Sequence, residues 1–409
     1  MRTSLARFRR AATPLLLKPS QRGLEVEPAH IAEVEQRFAH ITSAVNLGVG
    51  GVRWAPPHPA IMSHLDKRER EKELPRSWSQ YGDVLGTPPL LDAIREAHNL
   101  HADQGIVVTA GANQAMVNIA LLLMDPGDSA ILIAPYYFSH RAAVDLAGGR
   151  SVISGFCPDT LQPDIESVRQ AVESSRASGS SVKMVVLTTP NNPSGVVTEQ
   201  TKMQAIEKFC ASEGIWLVVD EAYADFIYGS CSRHVEPQSL NTIRLRTFSK
   251  NFGMAGWRCG YAIFPSSLST WMVRVQDAIL SHAAIVSQDL ALHCLQVGSG
   301  WVREQVQGLT PCREALWNAV EGTGAVKGSG AYYFLVPLPE AWRQSTATED
   351  AAFRVLAEQH GIIVTPGRVF GAPGTFRATY GSLHDEACFE AAARLHEALS
   401  LLGRSDPNF

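Results

Sequence analysis

The strongest constraint on the fold is a set of short, β-rich apolar runs: Ser129–Ile133, Val182–Thr188, Ile215–Asp220 and Thr242–Thr247. IWLVVD at Ile215–Asp220 is continuously apolar up to its closing aspartate. A strand with one wet face alternates apolar and polar residues, whereas an uninterrupted run has no face to give to water. Such strands need covering on both sides, which is the condition inside a parallel sheet. Helical patterns separate the runs from about Tyr81 to Phe264, so this stretch reads as βαβ units. The fold class expected is α/β, a mostly parallel sheet flanked by helices. The last quarter differs. A long helical pattern from Ala283 onward is followed by AYYFLVP at Ala331–Pro337, GIIVTPG at Gly361–Gly367 and a closing helix from Glu386 to Leu402, which together suggest a smaller α+β domain. A chain of 409 residues exceeds the size at which single cores stop growing. The division expected is an N-terminal arm at 1–45, a large domain at 81–299, and a small domain assembled from 46–80 and 300–409.

Charge narrows the function classes. With 36 Lys plus Arg against 40 Asp plus Glu, the net charge is -4, so no global positive field exists to attract nucleic acid or anionic lipid. A small-molecule partner is expected. Seven cysteines are scattered without a CxxC pair, which fits reduced thiols better than a disulfide framework or a zinc site, and no metal-ligand set is read. The most apolar stretch, Ile119–Met124, is far shorter than the roughly 20 residues that cross a bilayer. Residues 1–18 carry five Arg and Lys, and no acid comes before Glu25. That composition suits either a transit peptide or a basic terminal arm, so the compartment expected is cytoplasmic, with a mitochondrial or plastid alternative.

Four segments carry chemistry. In TFSKNFGMAGWRCGY, Lys250 follows a β-rich strand among small and hydroxyl residues, with Arg258 eight positions on. IWLVVDEAY ends a buried strand in Asp220 and places Tyr223 three residues further. A carboxylate can keep a pyridine nitrogen protonated so that the ring accepts electrons, and a phenol can tune the adjacent O3′. TTPNNPSGV sets Asn192 in an Asn-Pro turn after another strand. In VTAGANQAM a strand passes through Gly111, Ala112 and Asn113 into a helix whose first N–H groups could hold a phosphate. Each signal has a bland alternative: a solvated lysine, a helix cap, an ordinary turn, a tight strand–helix junction. Yet all four sit at the C-terminal ends of expected strands, where ligand sites of open α/β sheets lie.

In this set the chain resembles the fold type I pyridoxal-phosphate aminotransferases of class I and II, from about Asn46 to Leu402. The resemblance implies that Lys250 carries the cofactor as a Schiff base and then acts as general acid/base of a 1,3-proton shift. It implies further that Asp220 pairs with the pyridine nitrogen, Tyr223 and Asn192 contact O3′, and Tyr137 in APYYF stacks on the ring. Gly111, Ala112, Asn113, Thr247 and Arg258 would hold the phosphate. Arg377 in GTFRATYG would clamp the substrate carboxylate, helped by the backbone of Gly50 and by Asn192. Tyr81 in QYGDVLGTPPL is similar to the family's tyrosine that reaches the phosphate of a neighbouring subunit, which implies a homodimer with shared sites.

One departure refines the expectation. Where many relatives have Pro-Asp-Phe, this chain has GGVRWAPP at Gly50–Pro57, similar to plant-type aromatic and methionine aminotransferases. Arg53 and Trp54 are then expected on the substrate side. The resulting expectation is transfer of an amino group from an aromatic amino acid or methionine to a 2-oxo acid. The alternative is a lyase on the same scaffold that eliminates from the β or γ position, of the cysteine-conjugate lyase or aminocyclopropane-carboxylate synthase type, since the same lysine serves both outcomes.

Overall fold

A computed structural model describes residues 20–26, 30–71, 75–229, 237 and 239–405; the expected transit segment at 1–18 lies outside them. The strands in chain order are β1 (Val45–Asn46), β2 (Gln104–Thr109), β3 (Ser129–Ile133), β4 (Arg150–Ser154), β5 (Val182–Thr188), β6 (Trp216–Asp220), β7 (Thr242–Thr247), β8 (Gly260–Pro265), β9 (Tyr333–Pro337), β10 (Ile362–Ile363), β11 (Thr365–Pro366) and β12 (Thr375–Thr379). Seven of them form one sheet in the order β2-β8-β7-β6-β5-β3-β4. Only β8 runs against its neighbours, β2 and β7; the other pairings are parallel.

The uninterrupted apolar runs are explained by where alternate residues point. In β5, Val186 joins one core cluster while Val185 and Leu187 join another; in β6, Val218 parts from Leu217 and Val219 in the same way. Both sheet faces are therefore buried. The first face is covered by the helices Ala112–Leu123, Phe138–Leu146 and Ser269–Leu280, through Met116, Ile119, Val144 and Met272. The second is covered by Ile165–Ala177 and Gln200–Glu213, through Val168, Val172, Met203 and Ile206. Burying one Leu, Ile or Val side chain is favourable by about 1.5–3 kcal/mol, so each strand is held from two directions.

The last quarter forms a separate three-stranded antiparallel sheet, β11-β12-β9, in which Arg377 pairs with Thr365 on one side and Leu335 on the other. The GIIVTPG run splits: β10 pairs in parallel with β1, and β11 goes to the three-stranded sheet. The helical pattern after Ala283 is also three helices and not one, Ile285–Val297, Ser299–Gln307 and Thr310–Val320. Gly298, at φ +87°, ends the first of these in a conformation that side-chain-bearing residues rarely adopt.

Candidate functional site

Sheet register decides which residues meet. Thr188 lies opposite Asp220 and Asp220 opposite Leu245, while Gly260 is flanked by Thr247 and Thr109. The C-terminal ends of β2, β5, β6 and β7 thus share one edge, and the four sequence segments leave from it. A cavity of about 160 Å³ opens there. Its walls include Gly50, Ala112, Asn113, Tyr137, Asn192, Asp220, Tyr223, Thr247, Lys250, Arg258 and Arg377. Gly111 adjoins it as the N-cap of the Ala112–Leu123 helix.

Lys250 sits in the one-turn helix Phe248–Asn251, whose start is capped by Thr247: its Oγ1 accepts from the Ser249 N–H at 3.1 Å. The Lys250 ammonium donates to the Gly50 carbonyl at 2.6 Å. Burial, then the Arg377 and Arg258 charges, lower its pKa from 10.5 to about 8, against an opposing pull from Asp220. A lysine so placed can shed its proton near neutrality.

Asp220 is buried and fully engaged. Its Oδ1 accepts from the Ala222 N–H at 3.0 Å, and its Oδ2 is 3.0 Å from Nε2 of buried His140. From the opposite wall a chain of hydrogen bonds runs inward from Arg377. Arg377 donates from Nη1 to Asn192 Oδ1 at 2.9 Å, Asn192 donates to the Tyr223 hydroxyl at 3.3 Å, and that hydroxyl is 2.8 Å from the Tyr333 hydroxyl. Burial, and then Tyr333, raise the Tyr223 pKa well above that of a free phenol.

The two ends of the cavity are each suited to an anion. At one end the Ala112–Leu123 helix begins behind Gly111, with the Arg258 guanidinium and the hydroxyls of Thr247 and Ser249 nearby. Gly111 has φ +89°, and a Cβ added there would lie 2.6 Å from Arg258 Nη2, so the close approach of backbone and guanidinium requires glycine. Arg258 itself donates from Nη2 to the Ala110 carbonyl at 2.8 Å. A helix start, a guanidinium and two hydroxyls are the donor set of a phosphate dianion. At the other end Arg377 is 1% exposed, and its buried Nε has no hydrogen-bond partner among the described residues. A buried cation with an unmet donor suits a carboxylate. With an amine, a carboxylate and a phenol between these ends, the residues fit pyridoxal phosphate together with an amino acid.

Two expected site residues, Arg53 and Trp54, lie elsewhere, and Tyr81, expected to serve a neighbouring subunit, is outside this chain's own cavity. Arg53 pairs with Asp385 and donates to the Gly308 and Leu383 carbonyls, because this partly buried guanidinium finds a carboxylate and two free carbonyls near the start of the closing helix. Trp54 stacks on Phe226 at 5.8 Å and donates from Nε1 to the Asn251 carbonyl, so it packs behind the lysine segment and does not line the cavity. Tyr81 is 92% exposed and lines a different surface cavity, with its ring edge-on to His282. Conversely, His140 and Ser249 escaped the sequence reading. His140 lies one helical turn after Tyr137, and Ser249 directly precedes Lys250, so proximity to the motifs was the available signal.

Comparisons with known proteins agree with this geometry. Residues 42–395 match the profile described as Aminotransferase class I and II. An aromatic aminotransferase of Arabidopsis thaliana is 35% identical over 94% of this chain and 96% of its own. A probable aspartate/prephenate aminotransferase of Aquifex aeolicus is 28% identical over 78% of this chain and 84% of its own. Among solved structures, a double mutant of Thermus thermophilus aspartate aminotransferase superposes with a TM-score of 0.82 at 25% identity, over 94% of this chain and 100% of its own.

Proposed function

The chain belongs to the class I and II aminotransferases, which depend on pyridoxal phosphate, and from that premise we propose that it transfers the amino group of an aromatic amino acid or of methionine to a 2-oxo acid. The observation that carries this reading is the convergence of Lys250, Asp220 and Arg377 on one cavity.

Bound pyridoxal phosphate supplies an aldehyde that captures the amino group and a ring that accepts electrons. Around it we assign roles to this chain's residues. Gly111, Ala112, Asn113, Thr247, Ser249 and Arg258 would hold the phosphate. Asp220, oriented by Ala222 and His140, would keep the pyridine nitrogen protonated. Tyr223 and Asn192 would bind O3′, and Tyr137 would pack on the ring. Arg377 would take the substrate carboxylate, helped by the Gly50 backbone. Lys250 would hold the cofactor, and its free amine would take up at Nζ the proton that leaves the substrate Cα, a role that its lowered pKa favours.

The preference for an aromatic or thioether side chain is supported by the Arabidopsis relative and by the rings around the clamp: Tyr333 and Phe370 lie 4.7 and 5.0 Å from the Arg377 guanidinium carbon. Exposed Tyr81 supports a homodimer in which it serves the neighbouring cavity. A panel of amino donors with a fixed 2-oxo acid acceptor tests the substrate reading. Phenylalanine, tyrosine, tryptophan or methionine should give the highest kcat/KM; a preference for aspartate, or release of ammonia in place of transfer, would overturn it.

A further inference from the structure

Outside the candidate site, the helices His58–Glu71 and Ile285–Val297 pack against each other. At their contact His64, Asp289 and His293 converge, with one ligand atom from each lying within 4.8 Å of the others. Asp289 and His293 are four residues apart on one helix and so share a face. His64 is 7% exposed; its Nε2 lies 2.8 Å from Asp289 Oδ2, and its ring centroid is 3.9 Å from that of His293.

We propose that His64, Asp289 and His293 form a binding site for a first-row divalent metal ion, with Zn²⁺ the best match to two imidazoles and a carboxylate. Two His nitrogens and one Asp oxygen are a familiar three-ligand set that leaves a fourth position for water. Metal bonds of about 2.0–2.2 Å place tetrahedral ligand atoms roughly 3.3 Å apart. The three atoms, now within 4.8 Å of one another, must draw in toward that spacing, while the two imidazole rings, 3.9 Å apart between centroids, swing apart to point at a shared ion. The proton on His64 Nε2 moves to Nδ1 as the ring coordinates, leaving the imidazole neutral.

An outer layer is already in place. Trp78 donates from Nε1 to Asp289 Oδ2 at 3.0 Å, an orienting contact of the kind that metal-bound carboxylates make. Asp289 and Trp78 both line a cavity of about 330 Å³ on the face that also carries Tyr81. His64 lies 225 positions before Asp289, so the Asp289–His293 pair gives no sign in the sequence of its third ligand.

The test uses the full-length, cofactor-loaded protein, stripped of metal by chelator and titrated with Zn²⁺ against a chromophoric competitor. One Zn²⁺ should bind per chain. His64→Gln and His293→Gln should each weaken binding at least tenfold, while Trp78→Phe should keep the stoichiometry and weaken it by about 10- to 100-fold. Zn²⁺ should also raise the thermal midpoint of the native protein and not that of His293→Gln, a half-buried position where the variant is expected to fold. Failure of the native protein to take up Zn²⁺ stoichiometrically, or native affinity in either histidine variant, would overturn the site.

Discussion

A single lysine concentrates most of the chemistry, and its surroundings fix how it behaves with pH. Only the neutral amine can attack an aldehyde, and Lys250 becomes neutral above about pH 8, not above its ordinary 10.5. The rate at which cofactor-free protein captures pyridoxal phosphate should therefore climb about tenfold per pH unit below 8 and level off above it. Stopped-flow absorbance will show this, and a plateau reached only above pH 10 would contradict the assigned environment. Lys250→Ala should lower transamination by at least about 10²-fold, the scale of a lost proton-transfer group. Arg377→Lys removes a planar two-point donor. Hydrogen bonds to charged groups are each worth about 1.5–3 kcal/mol, so kcat/KM should fall by roughly 10- to 150-fold, chiefly through KM. Lys250, Asp220, Asn192 and Tyr223 were legible in the sequence because each follows an apolar run that announces a strand end. His140 was not: a histidine on an amphipathic helix carries no mark of the carboxylate it meets, which comes from a strand 80 residues away.

At the scale of single elements, burial on two faces made the central strands readable. The runs Ser129–Ile133, Val182–Thr188 and Thr242–Thr247 match β3, β5 and β7 residue for residue, and β6 differs from its expected run only in beginning one residue later, at Trp216. The last quarter was less legible, since its two-residue strands β10 and β11 belong to different sheets and are defined by distant partners, not by local pattern. Arg53 was misplaced for the same reason: its carboxylate partner comes from the opposite end of the chain. Two substitutions test the elements. Leu217→Ala, in the fully buried middle of β6, should cost about 2–5 kcal/mol in chemical denaturation. Gly111→Ala forces a side chain into a glycine-only conformation against Arg258; it should cost about 1–3 kcal/mol and weaken cofactor binding measured by equilibrium dialysis.

For the whole molecule, Tyr81 raises the question of how complete one chain is. If its phenol serves a neighbouring cavity, mixing Tyr81→Ala chains with Lys250→Ala chains should restore activity that neither has alone. Random exchange would make half of the dimers mixed, each with one intact site, so recovery should approach about a quarter of the native rate. No recovery on mixing would mean that the two residues act within one chain. The placement of Arg377 has a wider consequence. Lys250 and Asp220 hang from the seven-stranded sheet, whereas Arg377 is carried by β12 of the three-stranded one. The lysine that moves the proton and the arginine proposed to hold the carboxylate of every amino acid are thus mounted on separate frameworks. A small rotation of one sheet against the other would change the distance between amine and substrate without disturbing either group's own packing.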